Sequence, residues 1–147
     1  MTKLFQALLT GIFFTFIYDY LLFLGMFLHY IKYYEIPEYY NVLFAEHQNI
    51  FYIIPSVIII GFVTTYLNSK KLAFALIFSL LLLSASTLIP TLGFKLGQMV
   101  LSKESARYQD NRYVYKGTLY YEGRKKLYLF DEDLQKMITI SKKDLKQ

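Results

Sequence analysis

Charge is almost missing from the first hundred residues of this chain. Positions 4–101 hold eight Lys, Arg, Asp and Glu side chains, whereas the 46 positions that follow hold eighteen. A chain folding wholly in water has no reason to segregate charge so sharply. A chain crossing a bilayer does, because an ionised side chain at the centre of the hydrocarbon costs roughly 2.5 kcal/mol or more. Composition agrees: charged residues are 18% of the sequence, against roughly 25% in an average soluble domain.

A hydrocarbon core of about 30 Å takes about 20 mostly apolar helical residues to cross, since each backbone amide must find its partner inside the segment. Three stretches come to that length, at residues 4–30, 51–67 and 72–101. The first is longer than the core at about 1.5 Å per residue, so it must tilt or project. Lys3 before an apolar run imitates a signal peptide. The run is about twice the usual 7 to 15 residues and no small-x-small cleavage site follows, so we read an uncleaved anchor. The second stretch is rich in β-branched residues such as Ile53, Val57 and Ile60, which suits a strand in water, but its length argues for a helix. Pro90 should kink the third or end its lipid-crossing part.

The three-span domain thus covers residues 1–101, with a tight hairpin at 68–71 and a tyrosine-rich loop at 31–50. Tyrosine favours the headgroup level, where its ring is apolar and its hydroxyl stays wet. Within the loop, residues 37–46 read as a short interfacial helix that starts at Pro37 and turns Tyr40, Leu43 and Phe44 toward lipid, with Tyr39 beside them. Lys3, Lys70 and Lys71 on the hairpin side carry no acidic counterweight, and the opposite loop sets Lys32 and His47 against Glu35, Glu38 and Glu46. By the positive-inside rule this puts the N-terminus in the cytoplasm and the tail outside; a raw count of the tail's eleven basic residues argues the other way.

Residues 102–147 form an extramembrane module. Tyr113, Tyr115, Leu119 and Tyr121 alternate with Arg112, Lys116, Thr118 and Glu122, the period of a half-buried strand. Gly123 offers a turn, and further strands are predicted at 126–130 and 137–141, with a helical turn over 142–147. The expected class is therefore an integral membrane, mainly α protein: three transmembrane helices followed by a small antiparallel β module, a three-stranded meander related to an incomplete SH3-like barrel. So short a sheet buries little apolar surface and must lean on something. Arg124, Lys125 and Lys126 sit at the predicted hairpin tip, where they can touch anionic lipid or a partner. The tail's net charge of only +4 disfavours nucleic acid.

Inside the spans, Gly11, Thr15, Asp19, Met26 and His29 fall within one arc of about 80° at 100° per residue. Asp19 lies near the middle of the first span, so it must be paired, protonated or facing a wet interior. Ser79, Ser86, Pro90, Gly93 and Gly97 line one arc of the third span, with Gly93 and Gly97 at a small-xxx-small spacing that permits close helix approach.

Cysteine is absent and there are two histidines, so thiolate chemistry is excluded and no metal or cofactor is expected. His29, Glu46 and His47 lack a recognised metal spacing. No nucleophile elbow, Walker loop or dinucleotide fingerprint occurs, so an enzyme is not expected. The reading that follows is a non-catalytic accessory or assembly subunit of a bacterial inner-membrane complex. Its partners are the lipid bilayer and another membrane protein or itself; the abundance of Lys over Arg suits an AT-rich bacterial genome. Two alternatives remain: a proton- or cation-coupled transport component using Asp19, and an immunity-type protective membrane protein.

Overall fold

The computed structural model describes residues 2–110 and 113–145. Helix α1 (Thr2–Met26) continues through one π-helical turn, Phe27–Ile31, giving an apolar rod of 30 residues. The wider turn, in which the Lys32 amide bonds back to the Phe27 carbonyl, turns both Tyr30 and Ile31 fully inward. After a loop come α2 (Tyr40–Glu46) and α3 (Ile50–Tyr66), bent 88° from each other. Asn49 caps α3 by accepting from the Phe51 amide, and Ser69 caps α4 (Lys70–Ala85) in the same way through the Leu72 amide.

The stretch expected to form one third span is broken. α4 stops at Ala85, Ser86–Leu88 make a 3-10 turn, and Pro90 takes the first position of α5 (Pro90–Leu101), where its missing N–H leaves nothing unsatisfied. Among the described residues, two helices are long and apolar enough to cross a membrane, Thr2–Ile31 and Lys70–Leu88, and a third crossing is added if α2 and α3 count as one bent span.

α1 is the axis of the helical part. α3 packs antiparallel to it, bringing Thr64 to Thr10 and Gly61 to Ala7, and α4 runs beside it in the same direction, with Ser84 bonded to the Tyr18 carbonyl. α3 and α4 touch each other only sparsely. Because α3 begins level with the middle of α1, the second half of α1 has different neighbours: α2, α5 and the sheet.

That sheet has four strands, one more than expected: β1 (Lys103–Gln109), β2 (Val114–Glu122), β3 (Lys126–Asp131) and β4 (Lys136–Ser141), an antiparallel meander in sequence order. β1 is masked in the sequence because only Ala106 and Tyr108 alternate inward and Ser105, at φ 54°, interrupts the register with a bulge. Arg112, with which the first expected strand began, lies outside the described residues, as do 146 and 147 of the expected final turn. The turn that is present, Lys142–Asp144, is 3-10, and Leu145 after it bridges back to Asp110 at the end of β1.

Each face of the sheet has its own core. Leu119, Leu127, Leu129 and Ile140 pack together on the outer face. A second bulge, between Leu119 and Tyr121, rotates Tyr121 onto the opposite face beside Tyr128, and there both rings meet Met26, Tyr30, Ile31, Leu43 and Leu101. The three largest fully buried side chains of the chain, Tyr30, Tyr121 and Tyr128, all lie in this seam. The surface that so short a sheet lacks is supplied by the helices.

Candidate functional site

Polar groups converge where the sheet meets the loop before α3. The Tyr121 hydroxyl donates to Glu46 at 3.0 Å and the Tyr128 hydroxyl donates to Glu38 at 3.1 Å, so a carboxylate at the end of α2 and one in the loop before it are each held by a strand phenol. Burial, and next the Glu46 carboxylate, push the Tyr121 phenol far above the ordinary tyrosine range; burial and Glu38 push Tyr128 up to about 12. Both phenols therefore remain donors throughout the physiological range, and the seam does not open by their ionisation.

Beside the seam runs a polar cleft of about 610 Å³ between the end of α2 and the β2–β3 turn. Glu122 lies in it between two ammonium groups, Lys142 at 2.8 Å and Lys103 at 3.0 Å. Lys142 first, and Lys103 with it, hold the Glu122 carboxyl below the usual glutamate range. A carboxylate depressed in the folded state stabilises above its unfolded value and releases that contribution as pH falls, so this clamp is intact at neutral pH. Arg124 and Gln48 face the same cleft. A second, adjoining hollow of about 370 Å³ is lined by Arg124, Lys125, Lys126, Lys142 and Lys143 with Ser141. The charge at this end of the sheet is mainly cationic, with Glu122 clamped by two lysines and Glu46 held by the Tyr121 hydroxyl.

The helical stripe read from the sequence divides among different partners. Gly11 lies against the Val57 carbonyl of α3, and Met26 is in the tyrosine seam. Thr15 is buried with its hydroxyl unpartnered among the described residues. Asp19 accepts from the Gln48 side chain at 2.8 Å. Gln48 lies two residues before α3, so Asp19 is level with the start of that helix. His29 donates through Nε2 to the Leu88 carbonyl at 2.8 Å. Ten residues, about 15 Å of helix, separate it from Asp19, and the two share no partner.

The stripe on the third span holds only in its last part. Gly93 packs on the carbonyls of Thr87 and Gly25, and Gly97 on the Tyr30 ring. Ser79 is exposed and bonds only to its own helix, Ser86 does likewise through Leu83, and Pro90 is exposed. The 3-10 turn advances about 120° per residue instead of 100°, so one wheel cannot describe both sides of it. The hydroxyls that do reach α1 are Ser84 and Thr87, the latter to the Leu21 carbonyl at 3.3 Å.

α2 is likewise rotated from the expected pose. It starts at Tyr40, not Pro37, and its Leu43 is fully buried. Phe44 meets Phe16 and Phe23 edge-to-face, and the Tyr40 hydroxyl donates to the Tyr20 carbonyl. α1 offers more aromatic surface than this seven-residue helix could find in the headgroups. Tyr39 alone of that set points away, 77% exposed. His47 bonds to the Leu43 carbonyl and its ring lies tilted beside that of Tyr121, whose hydroxyl is bonded to Glu46, while His29 is bonded elsewhere; no group of three metal-ligating side chains occurs among the described residues.

Sequence reasoning missed Glu38, Glu46, Tyr121 and Tyr128 as a set, along with Lys142 and Lys143. The signal was present in part: two carboxylates in an interfacial loop and an excess of tyrosine in the strands need each other. No protein-family model, curated protein or solved structure matches this chain.

Proposed function

We propose that this chain is a non-catalytic accessory or assembly subunit of a bacterial inner-membrane complex, contacting its neighbours through helix packing and through its β module, an incomplete SH3-like barrel. The observation that carries this is an open apolar groove of about 560 Å³ along the α1–α3 pair. Small residues, Ala7 and Gly61, form its floor, and Phe5, Ile58 and Phe62 its rim; α4 lies on the other flank of α1 and does not cover it. Small residues between two raised walls admit a third helix closely, which is how membrane helices associate where lipid is as apolar as leucine. The seam supports the same reading, because it holds the sheet rigidly to the helices that would dock.

A photo-crosslinking residue placed at Ile58 should give a protein adduct of discrete mass in the native membrane, and one at Phe78 on α4 only lipid adducts. Lipid adducts alone from Ile58 would rule out the groove. The transport alternative is tested by Asp19→Asn, which keeps the Gln48 contact and should leave complex formation unchanged, whereas a proton-coupled component would lose its function. An immunity-type protein would use the same groove and differ only in what crosslinks.

For orientation we propose the reading that the count of the tail's basic residues favours. Lys103, Arg124, Lys125, Lys126, Lys142 and Lys143 gather at the end of the sheet nearest the helices, and they outweigh Lys3, Lys70 and Lys71 on the other side. The sheet is then cytoplasmic. As the chain has no cysteine, single replacements report sidedness cleanly. Glu132→Cys should resist an impermeant maleimide in intact cells and Ser69→Cys should react; the opposite pattern would restore the outside sheet.

A further inference from the structure

We propose that the helix-proximal end of the sheet is a docking surface for anionic phospholipid headgroups, independent of the subunit reading and requiring only that the helices cross a bilayer. The cations come from two separate parts of the chain. Arg124 and Lys125 lie in the β2–β3 turn and Lys126 opens β3, while Lys142 and Lys143 follow β4, and the antiparallel register, with Lys126 opposite Ser141, brings both groups to one hollow. Among the described residues, Arg124, Lys125, Lys126 and Lys143 have no ion-pair partner. The acidic groups nearest are accounted for or few: Glu122 is clamped by Lys103 and Lys142, Glu46 accepts from Tyr121, and Asp144 is exposed in the terminal turn.

Position selects the lipid as the source of the anion. Arg124 shares a cleft with His47 and Gln48, in the short link between α2 and α3, and Gln48 is itself bonded to Asp19 in α1. The basic hollow therefore lies level with the end of an apolar 17-residue helix, which is where headgroups would be. α2, lying nearly perpendicular to α3, fixes the same plane. The opposite end of the sheet is acidic, with Asp131 at the end of β3 and Glu132 and Asp133 in the turn to β4. Strands of six to nine residues at about 3.3 Å each separate the two ends by roughly two Debye lengths, so the acidic end does not cancel the attraction of the basic one. An anionic surface draws in one end of this sheet and repels the other.

The experiment is lysine acylation by a water-soluble amine reagent, read residue by residue by mass spectrometry, on the full chain in nanodiscs. In phosphatidylcholine mixed with phosphatidylglycerol, Lys125, Lys126 and Lys143 should react at least about fivefold more slowly than in phosphatidylcholine alone. Lys116 and Lys136, nearer the acidic end, should react equally in both. Arg124→Gln combined with Lys143→Gln should restore fast labelling of Lys125 and Lys126 in the anionic discs. Equal rates in the two lipids would overturn the proposal. So would equal protection in phosphatidylcholine discs by free glycerol phosphate, which would make the hollow a site for a soluble phosphate.

Discussion

Gly61→Leu is expected to separate α3 from α1. A Cβ at Gly61 would stand 2.3 Å from the Ala7 carbonyl oxygen, and one at Gly11 would stand 2.1 Å from that of Val57, so each glycine admits the other helix's backbone. Overpacking a core costs about 1–3 kcal/mol where side chains can rotate away. Here the obstacle is backbone, and the whole helix must move. The displacement would also part Thr10 from Thr64, whose hydroxyls are 3.0 Å apart, and Tyr18 from Ser56. A cysteine pair replacing Thr10 and Thr64 should form a disulfide under mild oxidation in an otherwise unaltered chain and fail to do so with Gly61→Leu. Phe62→Leu, at an exposed neighbour, should leave the crosslink intact. A crosslink that forms at an unchanged rate in Gly61→Leu would mean that the α1–α3 crossing is looser than its geometry implies.

Those contacts also show what could be read from the sequence. The long apolar helices were legible because hydrocarbon would impose length and apolarity on a segment whatever its neighbours. Pro90 announced a break for a reason internal to its own ring. The helical wheel failed where the helix ceased to be one helix: it grouped Ser79 with Gly93 across a 3-10 turn and overlooked Ser84 and Thr87. Gly61 meets Ala7 across the α1–α3 pair, and a small-residue stripe on the third span carries no sign of that contact. Long-range complementarity hid the seam. Nothing near Glu38 in sequence says that Tyr128 lies 90 residues away on its carboxylate. Bulges hid it too, since the alternation that placed Tyr121 with Tyr115 and Leu119 on one face is shifted by one residue before Tyr121 is reached. The polar cluster at the end of the sheet was half visible: the β2–β3 tip was read as basic, but the register that adds Lys142 and Lys143 to it depends on the fold.

The second large effect is expected at Tyr30. Its ring is fully buried and packs against Tyr34 and Phe94, it fills the space that Gly97 leaves, and its hydroxyl donates to the Tyr120 carbonyl at 3.0 Å. One side chain on α1 thus touches the loop, α5 and the sheet. Tyr30→Ala should cost about 3–5 kcal/mol, the range for removing a buried aromatic ring. That is comparable with the whole stability of many small domains. The loss should be local in its consequences. The outer core of Leu119, Leu127, Leu129 and Ile140 does not involve Tyr30, and neither does the α1–α3 crossing. What opens is the seam, so trypsin should gain access to Lys32 and Lys103, and amide exchange in β2 and in α2 should rise together while α3 stays protected. Tyr30→Phe removes only the hydroxyl bond and should cost about 1 kcal/mol, leaving proteolysis nearly unchanged. If the alanine variant kept both sites protected, the sheet would be held by Glu38 and Glu46 through Tyr128 and Tyr121 alone. The paired carboxylates, and not the aromatic packing, would then be what fixes this module to the helical part of the chain.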